Sequence, residues 1–333
     1  MTTNFKMSKV LITGATGLLG ANTIQELLNC GYLVKALVRD KSKFIFPNGN
    51  NIELAEGNLA DSLFIENSVK DCDLIINAAA ETNQGLIHYS DYHTINVEFC
   101  KLLYTAAVNN GVKRIIHVST SNVFGYGDLL NPGEENTRIK APFSNSLYVK
   151  SKIASQNIAL SFSEKTDVII VNPTFLIGSF DQKPSSGRII LYGYNKKIIF
   201  FPPGGKNFVD VKDVSRAIVA LLTKGINKES YILSGENLTY KEFFTKLNNH
   251  SNKRSIYIGI PRPLLFLVGM VGNMLRIFGI KNEYTLTNMK ILCVKNYYSN
   301  TKAKKELNME FNYIDCALID AIDWFKLKGM LND

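Results

Sequence analysis

Thr13-Gly14-Ala15-Thr16-Gly17-Leu18-Leu19-Gly20 constrains this chain more than any other stretch of it. It follows the apolar run Val10-Leu11-Ile12 and opens an amphipathic stretch that continues to Asn29. A strand, a glycine turn and a helix in that order are what an anion-binding β–α turn requires. The first glycine lets the chain turn sharply, the second lets backbone N–H groups approach a pyrophosphate, and the third lets helix and strand pack closely. Phosphates would sit at the helix N-terminus, where unpaired N–H groups and the positive end of the dipole favour an anion. The spacing is Gly-x-x-Gly-x-x-Gly, one residue wider at the first gap than the common dinucleotide fingerprint. A glycine-rich turn without a ligand is the plain alternative, and the agreement of position and spacing with the neighbouring pattern favours the dinucleotide.

The rest of the first half keeps the same rhythm. Strands are expected at Leu33–Val38, 51–55, Leu74–Ala78, Arg114–Ser119 and 168–172, and helices at Asp91–Asn109 and Leu147–Phe162. Alternating strands and helices with continuous apolar strands predict an α/β fold: a Rossmann-type, doubly wound parallel sheet covered by helices on both faces. After Pro173 the rhythm breaks. Residues 178–207 are rich in Gly, Pro and Lys and read as loops with a short helix. Residues 208–222 read as a strand or turn running into a helix, Tyr231–Ser234 as a short strand, and helices dominate from Glu236, with a strand at Ile256–Ile260. The expected division is a dinucleotide domain over 1–177, rejoined by parts of 208–235, and a smaller, mostly helical substrate lobe from 178–207 and 236–333.

The 333 residues can bury a large core. A hydrophobic fraction of 46% and a charged fraction of 20% suit a soluble globular enzyme. The formal net charge of +9 suits anionic ligands. No zinc-finger spacing or dense Lys/Arg run accompanies it, so nucleic acid is not expected as a partner. Cys30, Cys72, Cys100, Cys293 and Cys316 are odd in number and form no Cys-x-x-Cys pair. That pattern points to a reducing, cytoplasmic setting with no metal site and no disulfide framework. Met1 to Lys9 has no long apolar core of the secretory kind. Residues 264–275 are the most apolar stretch, too short to span a bilayer and flanked by Arg262 and Arg276. They read as a buried or groove-lining helix, with a peripheral membrane foot as the alternative.

Tyr148-Val149-Lys150-Ser151-Lys152 is the second anchor. Tyr148 and Lys152 are four apart and share a helix face. A free phenol has a pKa of about 10, too high for efficient proton exchange at neutral pH, and a nearby ammonium lowers it. The strand before this helix ends in Ser119-Thr120-Ser121, and substrates of doubly wound sheets bind at the carboxyl ends of strands. A hydroxyl there can hold a substrate oxygen or satisfy the turn backbone.

These stretches together resemble the extended short-chain dehydrogenase/reductases over nearly the full chain. The carriers are the glycine run, Gly57-Asn58-Leu59, Asn77-Ala78-Ala79-Ala80, Asn96-Val97, Ser119-Thr120-Ser121-Asn122-Val123-Phe124-Gly125, Tyr148-x-x-x-Lys152 and Asn172-Pro173. The resemblance implies that Tyr148 is the acid/base, that Lys152 tunes it and binds the nicotinamide ribose, and that the family's Ser/Thr falls on Thr120. It implies cofactor contacts from Gly14, Ala15, Thr16, Gly17, Leu18, Leu19 and Gly20, from Asn58 and Leu59, from Ala78, Ala79 and Ala80, from Asn96, and from Asn172 and Pro173. Asn58 stands where the family usually has an Asp that contacts adenine. Family members often pair through the two helices represented here by 91–109 and 147–162, and monomers also occur, so the resemblance allows a homodimer without fixing the assembly. Cofactor choice rests on the tip of the second strand, Leu37-Val38-Arg39-Asp40. Arg39, followed by Lys41 and Lys43, suits a 2′-phosphate, so NADP is expected over NAD; Asp40 argues the other way unless it caps the turn.

Residues 172–178, 183–187 and 204–211 look like the dihydroflavonol reductase-like branch. Nucleotide-sugar epimerases and dehydratases typically carry an arginine in the last segment, where Lys206 stands here; lysine lacks the bidentate fork. Arg188 and Lys206 together could still hold a phosphate. Phe180, Tyr192, Tyr194, Phe200, Phe201 and Phe266 would suit an apolar carbonyl substrate or ordinary core packing. The leading expectation is NADPH-dependent reduction of a carbonyl through Thr120, Tyr148 and Lys152. A nucleotide-sugar epimerase or dehydratase is the alternative, and a non-catalytic dinucleotide sensor the third.

Overall fold

A computed structural model describes residues 8–47, 49, 51–251 and 253–332. Residues 1–7, on which most of the reading of the N-terminus falls, lie outside the described residues.

Strands β1 (Lys9–Thr13), β2 (Leu33–Val38), β3 (Ile52–Glu56), β4 (Leu74–Asn77), β5 (Arg114–Val118) and β6 (Asp167–Pro173) fall in the first half of the chain. Downstream lie β7 (Phe175–Ile177), β8 (Ile198–Phe201), β9 (Gly205–Asp210), β10 (Ser230–Leu233), β11 (Glu236–Thr239), β12 (Ile256–Gly259) and β13 (Lys295–Asn296). The main sheet has seven strands in the order β10-β6-β5-β4-β1-β2-β3, every pair parallel. The chain order reverses between β1 and β4, the switch point where such sheets open a crevice at their carboxyl edge. There Thr13 pairs with Asn77, so the turns after β1 and β4 emerge level with each other.

Helices α1 (Leu18–Asn29), α2 (Ser62–Val69), α3 (Tyr89–His93), α4 (Phe99–Asn109), α5 (Leu147–Ser161), α6 (Arg188–Gly193) and α7 (Val211–Lys224) follow the strands. Because side chains alternate along a strand, each strand feeds two cores. Val10, Ile12, Ile76, Ile116 and Val171 join Ile24 of α1 and Ile218 of α7 on one face. Leu11, Ile75, Ile115 and Ile170 join Ile65 of α2 and Leu103 of α4 on the other. Burial on both faces is why these strands read as continuous apolar runs.

Helix α8 (Tyr240–Asn249), α9 (Arg262–Ile277), α10 (Leu286–Ile291), α11 (Thr301–Leu307) and α12 (Ile314–Leu327) complete the chain. A third core packs Tyr194, Phe243, Phe244 and Phe325, with Phe208 and Phe243 stacked 4.2 Å apart. Residues 178–207 hold more than loops and a short helix: β8 pairs in parallel with β12, and β9 joins β7, β11 and β13 in a second sheet. These strands are short and borrow their partners from far along the chain, so local pattern does not expose them. The expected helix 91–109 starts earlier, at Tyr89, and passes through a π-helical turn at Thr94–Glu98. Among the described residues no helix is long and apolar enough to cross a membrane, and no cluster of His, Cys, Asp or Glu could hold a metal. All five cysteines are free thiols.

Two glycines set the spacing at the switch point. Gly14 has φ +69°, and a Cβ on it would lie 2.7 Å from the Ala78 carbonyl. A Cβ on Gly20 would lie 2.1 Å from the Gly14 oxygen, so α1 rests directly on the turn. Gly20→Ala is therefore expected to cost more than about 3 kcal/mol, at the upper end of overpacking losses. Gly111→Ala, at φ +69° with open space around it, should cost only about 1–2 kcal/mol. Urea midpoints of the two variants compare steric collision with backbone strain alone.

Candidate active site

At the glycine turn the Gly17 N–H donates to the Gly14 carbonyl at 3.0 Å. Gly17 caps α1 without any side-chain bond, and no acidic residue occupies the first turn. The remaining N–H groups there, with the helix dipole, form a concave cradle suited to an anion. Ala15, Leu18, Leu19 and Gly20 are buried and Thr16 is half-buried. The segment after β7 straps over this end: Asn22 donates to the Ser179 carbonyl at 2.9 Å, and Gln182 donates to the carbonyls of Thr16 and Lys43.

Beyond the tip of β2, Asp40 turns away from the crevice. Its carboxylate accepts from Ser42 N–H and Oγ and pairs with Lys43 at 2.6 Å. Lys43 first, then Ser42, hold it down at about 2. Lys41 pairs with Glu56. Arg39 is exposed and, among the described residues, has no carboxylate partner. Asn58 is exposed; its Oδ1 accepts from Ala60 N–H at 3.0 Å, which leaves its Nδ2 as the freer end. Leu59 is buried beneath it.

The chemical end lies beyond β5. Ser146 caps α5, placing Tyr148 in its first turn and Lys152 one turn further. Lys152 is buried, and its Nζ donates to the Val118 carbonyl at 2.8 Å, at the carboxyl end of β5. Thr120 follows two residues later; its hydroxyl accepts from Asn122 N–H and sits close enough to the Tyr148 phenol to favour the phenolate. Among the described residues, the neighbouring Ser119 Oγ and the Tyr298 hydroxyl beside Ser121 are both buried without a hydrogen-bond partner. Of the three hydroxyls, Thr120 is the one set beside the Tyr148 phenol. Burial pushes the phenol up to about 12, opposed by the nearby Thr120 hydroxyl, and burial pulls Lys152 down to about 8. Asn172 reinforces the arrangement by donating to the Thr120 carbonyl at 3.1 Å and to Gln156, while its own Oδ1 is buried without a partner beside Pro173. A cleft of about 120 Å³ at Tyr148 is lined by Gln84, Tyr92, Asn145, Asn273 and Arg276 among others. A wider cleft of about 630 Å³, lined by Tyr126, Lys140, Arg262 and Lys295, does not include Tyr148 or Thr120.

Other expected residues are placed differently. The Asn96 amide is consumed within the protein: it accepts from Glu81 N–H and donates to the Glu81 carbonyl and to Ser151 Oγ. It thereby fixes the segment that follows the half-buried Ala78, Ala79 and Ala80. Arg188 pairs with Glu283 at 2.9 Å, and the Lys206 ammonium lies 4.6 Å over the Phe175 ring, pulled down to about 8 by burial. A joint phosphate clamp by these two is not formed. None of Phe180, Tyr192, Tyr194, Phe200, Phe201 and Phe266 lines the Tyr148 cleft; Phe180 packs on Trp324, and Tyr194 belongs to the third core.

A buried polar chain that the sequence reading missed joins the two ends of the site. Ala79 N–H donates to Thr13 Oγ1, which donates to Asn77 Oδ1 at 2.6 Å. Asn77 Nδ2 donates to the Tyr104 hydroxyl, which lies 2.5 Å from His117 Nδ1. His117 Nε2 meets Ser155 Oγ at 3.2 Å, and Ser155 donates to the Lys152 carbonyl. Donor counting makes His117 the neutral Nε2–H tautomer. Burial, then the Lys152 charge, holds its pKa well below the ordinary 6.5. The only sequence signal was a lone histidine inside an otherwise apolar buried strand.

Residues 10–234 match the model of the NAD dependent epimerase/dehydratase family. The chain is 28% identical to sterol demethylase protein B of Methylococcus capsulatus, covering 96% of this chain and 99% of that protein. It is 26% identical to a Synechocystis sp. protein with the provisional name dihydroflavonol 4-reductase, covering 96% and 94%. Among solved structures, gox2253 superposes with a TM-score of 0.84 at 28% identity, covering 98% of this chain and 100% of that one.

Tyr104→Phe leaves Asn77 Nδ2 with the weak acceptor Cys100 Sγ and takes from His117 Nδ1 its hydroxyl partner in the core. It is expected to cost about 1–3 kcal/mol, read as a lower denaturation midpoint. An unfolded chain protonates His117 below about 6.5 whereas the folded one does not, so this group's stabilisation is present above that pH and lost below it. His117→Gln, with no ring to protonate, should lose less stability than the wild type between about pH 7 and pH 5.

Proposed function

The chain belongs to the NAD dependent epimerase/dehydratase family, and on that premise we propose that it reduces a carbonyl compound with NADPH. The observation that carries this reading is the placement of Thr120 beside the Tyr148 phenol, with the buried Lys152, at the carboxyl end of β5. The cradle at Gly14, Gly17 and Gly20 fits a pyrophosphate: it offers unpaired helix N–H groups, and side chains there would collide with the turn. Arg39 fits a 2′-phosphate, because the acidic groups near it are already paired with lysines. Asn58 Nδ2 can donate to an adenine ring nitrogen, and Asn172 Oδ1 is an acceptor on the nicotinamide side.

The bound cofactor would supply the hydride. Thr120 Oγ1 and the Tyr148 phenol grip the substrate oxygen, and Tyr148 delivers its proton there. A phenol at about 12 is a weak donor by itself. The Lys152 cation stabilises the phenolate left behind, and it is charged only below about pH 8. Residues 1–177 with parts of 208–235 carry this chemistry, and 178–207 with 236–333 select the substrate. The Arg188–Glu283 pair and the position of Lys206 on Phe175 leave a sugar-nucleotide diphosphate without the joint clamp that Arg188 and Lys206 could have offered.

Tyr148→Phe should lower NADPH-dependent carbonyl reduction by about 10²–10⁴-fold while NADPH binding by calorimetry is kept. Unchanged turnover would sink the assignment, as would retained cofactor without net NADPH consumption in the presence of a nucleotide sugar. Wild-type turnover should decline as pH rises through about 8. Lys152→Met should be equally inactive yet no less stable, since it removes a buried charge. Arg39→Ala should weaken NADPH by about 10–100-fold, the worth of a charged hydrogen bond, and leave NADH unchanged; equal loss for both would argue for NAD.

A further inference from the structure

The unexplained surface of this molecule is α9 and the strand that leads into it. Helix α9 spans 16 residues, and its inner face is held by close approach. A Cβ on Gly269 would lie 2.7 Å from Leu286 Cα, and one on Gly272 would lie 1.9 Å from the Tyr284 carbonyl. With the glycine side pinned on α10, the opposite side is Leu267, Met270, Val271, Met274, Ile277 and Phe278. All six are exposed, Ile277 at 83% and Phe278 at 73%. A solvent-facing helix normally puts charges there, and an apolar face of this extent marks an interaction site. Of the buried or groove-lining helix expected at 264–275, burial fails on this outward face, whereas Asn273 does line the Tyr148 cleft.

The β8–β12 pair extends the pattern. Ile256 pairs with Ile198 and Ile258 with Phe200, and all four side chains are exposed. At the start of this parallel pair lie Lys196, Lys197, Lys253 and Arg254, all exposed. Among the described residues none of these four has a carboxylate partner. The sequence carries no Asp or Glu between Glu242 and Glu283, nor between Asp181 and Asp210, whereas Arg262 and Lys281 add further positive charge.

We propose that this face seats the protein on an anionic lipid surface, with α9 lying in the plane of the interface. Exposed apolar side chains together with cations that lack carboxylate partners are complementary to acyl chains beneath anionic headgroups. A second copy of the chain fits less well, because a two-fold contact through this face would bring like cations toward each other. The inner flank of the same helix reaches the Tyr148 cleft through Asn273 and Arg276, so the lipid-facing element also walls that cleft. The proposal does not depend on the reductase reading.

Vesicle co-sedimentation of the full chain tests it without substrate or turnover. The wild type should sediment with phosphatidylcholine/phosphatidylglycerol vesicles and bind at least about tenfold more weakly to phosphatidylcholine alone, or to the mixed vesicles in high salt. Ile277→Glu/Phe278→Glu should lower binding at least about tenfold with an unchanged melting temperature and unchanged NADPH affinity. Should that variant fold poorly, Lys196→Gln/Lys197→Gln/Lys253→Gln/Arg254→Gln supplies an independent arm, expected to abolish the preference for anionic vesicles. Wild-type protein left in the supernatant with every vesicle would overturn the proposal. So would wild-type binding by the folded glutamate variant, or a lipid-free dimer that the glutamate pair converts to monomer.

Discussion

The buried hydrogen-bonded chain from Thr13 to Lys152 is the constraint on which the arrangement of the site depends. It starts one residue before the glycine turn, crosses beneath the sheet's carboxyl edge through Asn77, Tyr104 and His117, and ends on the backbone of the lysine in α5. Each group has one donor and one acceptor role, so a shift of either end breaks a bond in a place water does not reach. The cradle and the Thr120–Tyr148–Lys152 group are thereby held in one register although they lie more than a hundred residues apart.

Burial sets the electrostatics of the site in opposite directions for its two ionisable members. It raises the Tyr148 phenol and lowers Lys152, so both neutral forms are favoured. The ammonium donates to the Val118 carbonyl, and the Thr120 hydroxyl joins the action proposed for Lys152 in favouring the phenolate. The tuning that a Tyr-x-x-x-Lys spacing suggests is therefore shared with a residue from a different strand.

The two flanks of the molecule divide along similar lines. On the main sheet, alternation along each strand fills two cores and leaves a crevice at the switch point. On the far side, glycines on α9 replace side-chain interdigitation with close backbone contact, which turns the bulky residues outward. One apolar stretch is thus anchored by its smallest residues and exposed by its largest.

Much of the α/β framework was legible in the chain. Val10–Ile12, Leu74–Ile76 and Ile115–Ile116 are apolar because they are buried on both faces, and Gly14 and Gly20 are glycines because a Cβ would strike backbone. Tyr148 and Lys152 were legible as a pair because four residues make one helical turn. Periodicity is local, however, and the remainder was settled by partners distant in sequence. Only the fold turned Asp40 onto Lys43 and left Arg39 open, enclosed the Asn96 amide, and put Lys206 over Phe175. It alone paired β8 with β12 and gave the apolar run at 264–275 an outward face. The sequence by itself determined which segments could be buried and where an anion could dock. The tertiary structure decided which polar groups were consumed by one another and which were left for a ligand, because a hydrogen bond or a contact depends on three-dimensional distance and not on separation along the chain.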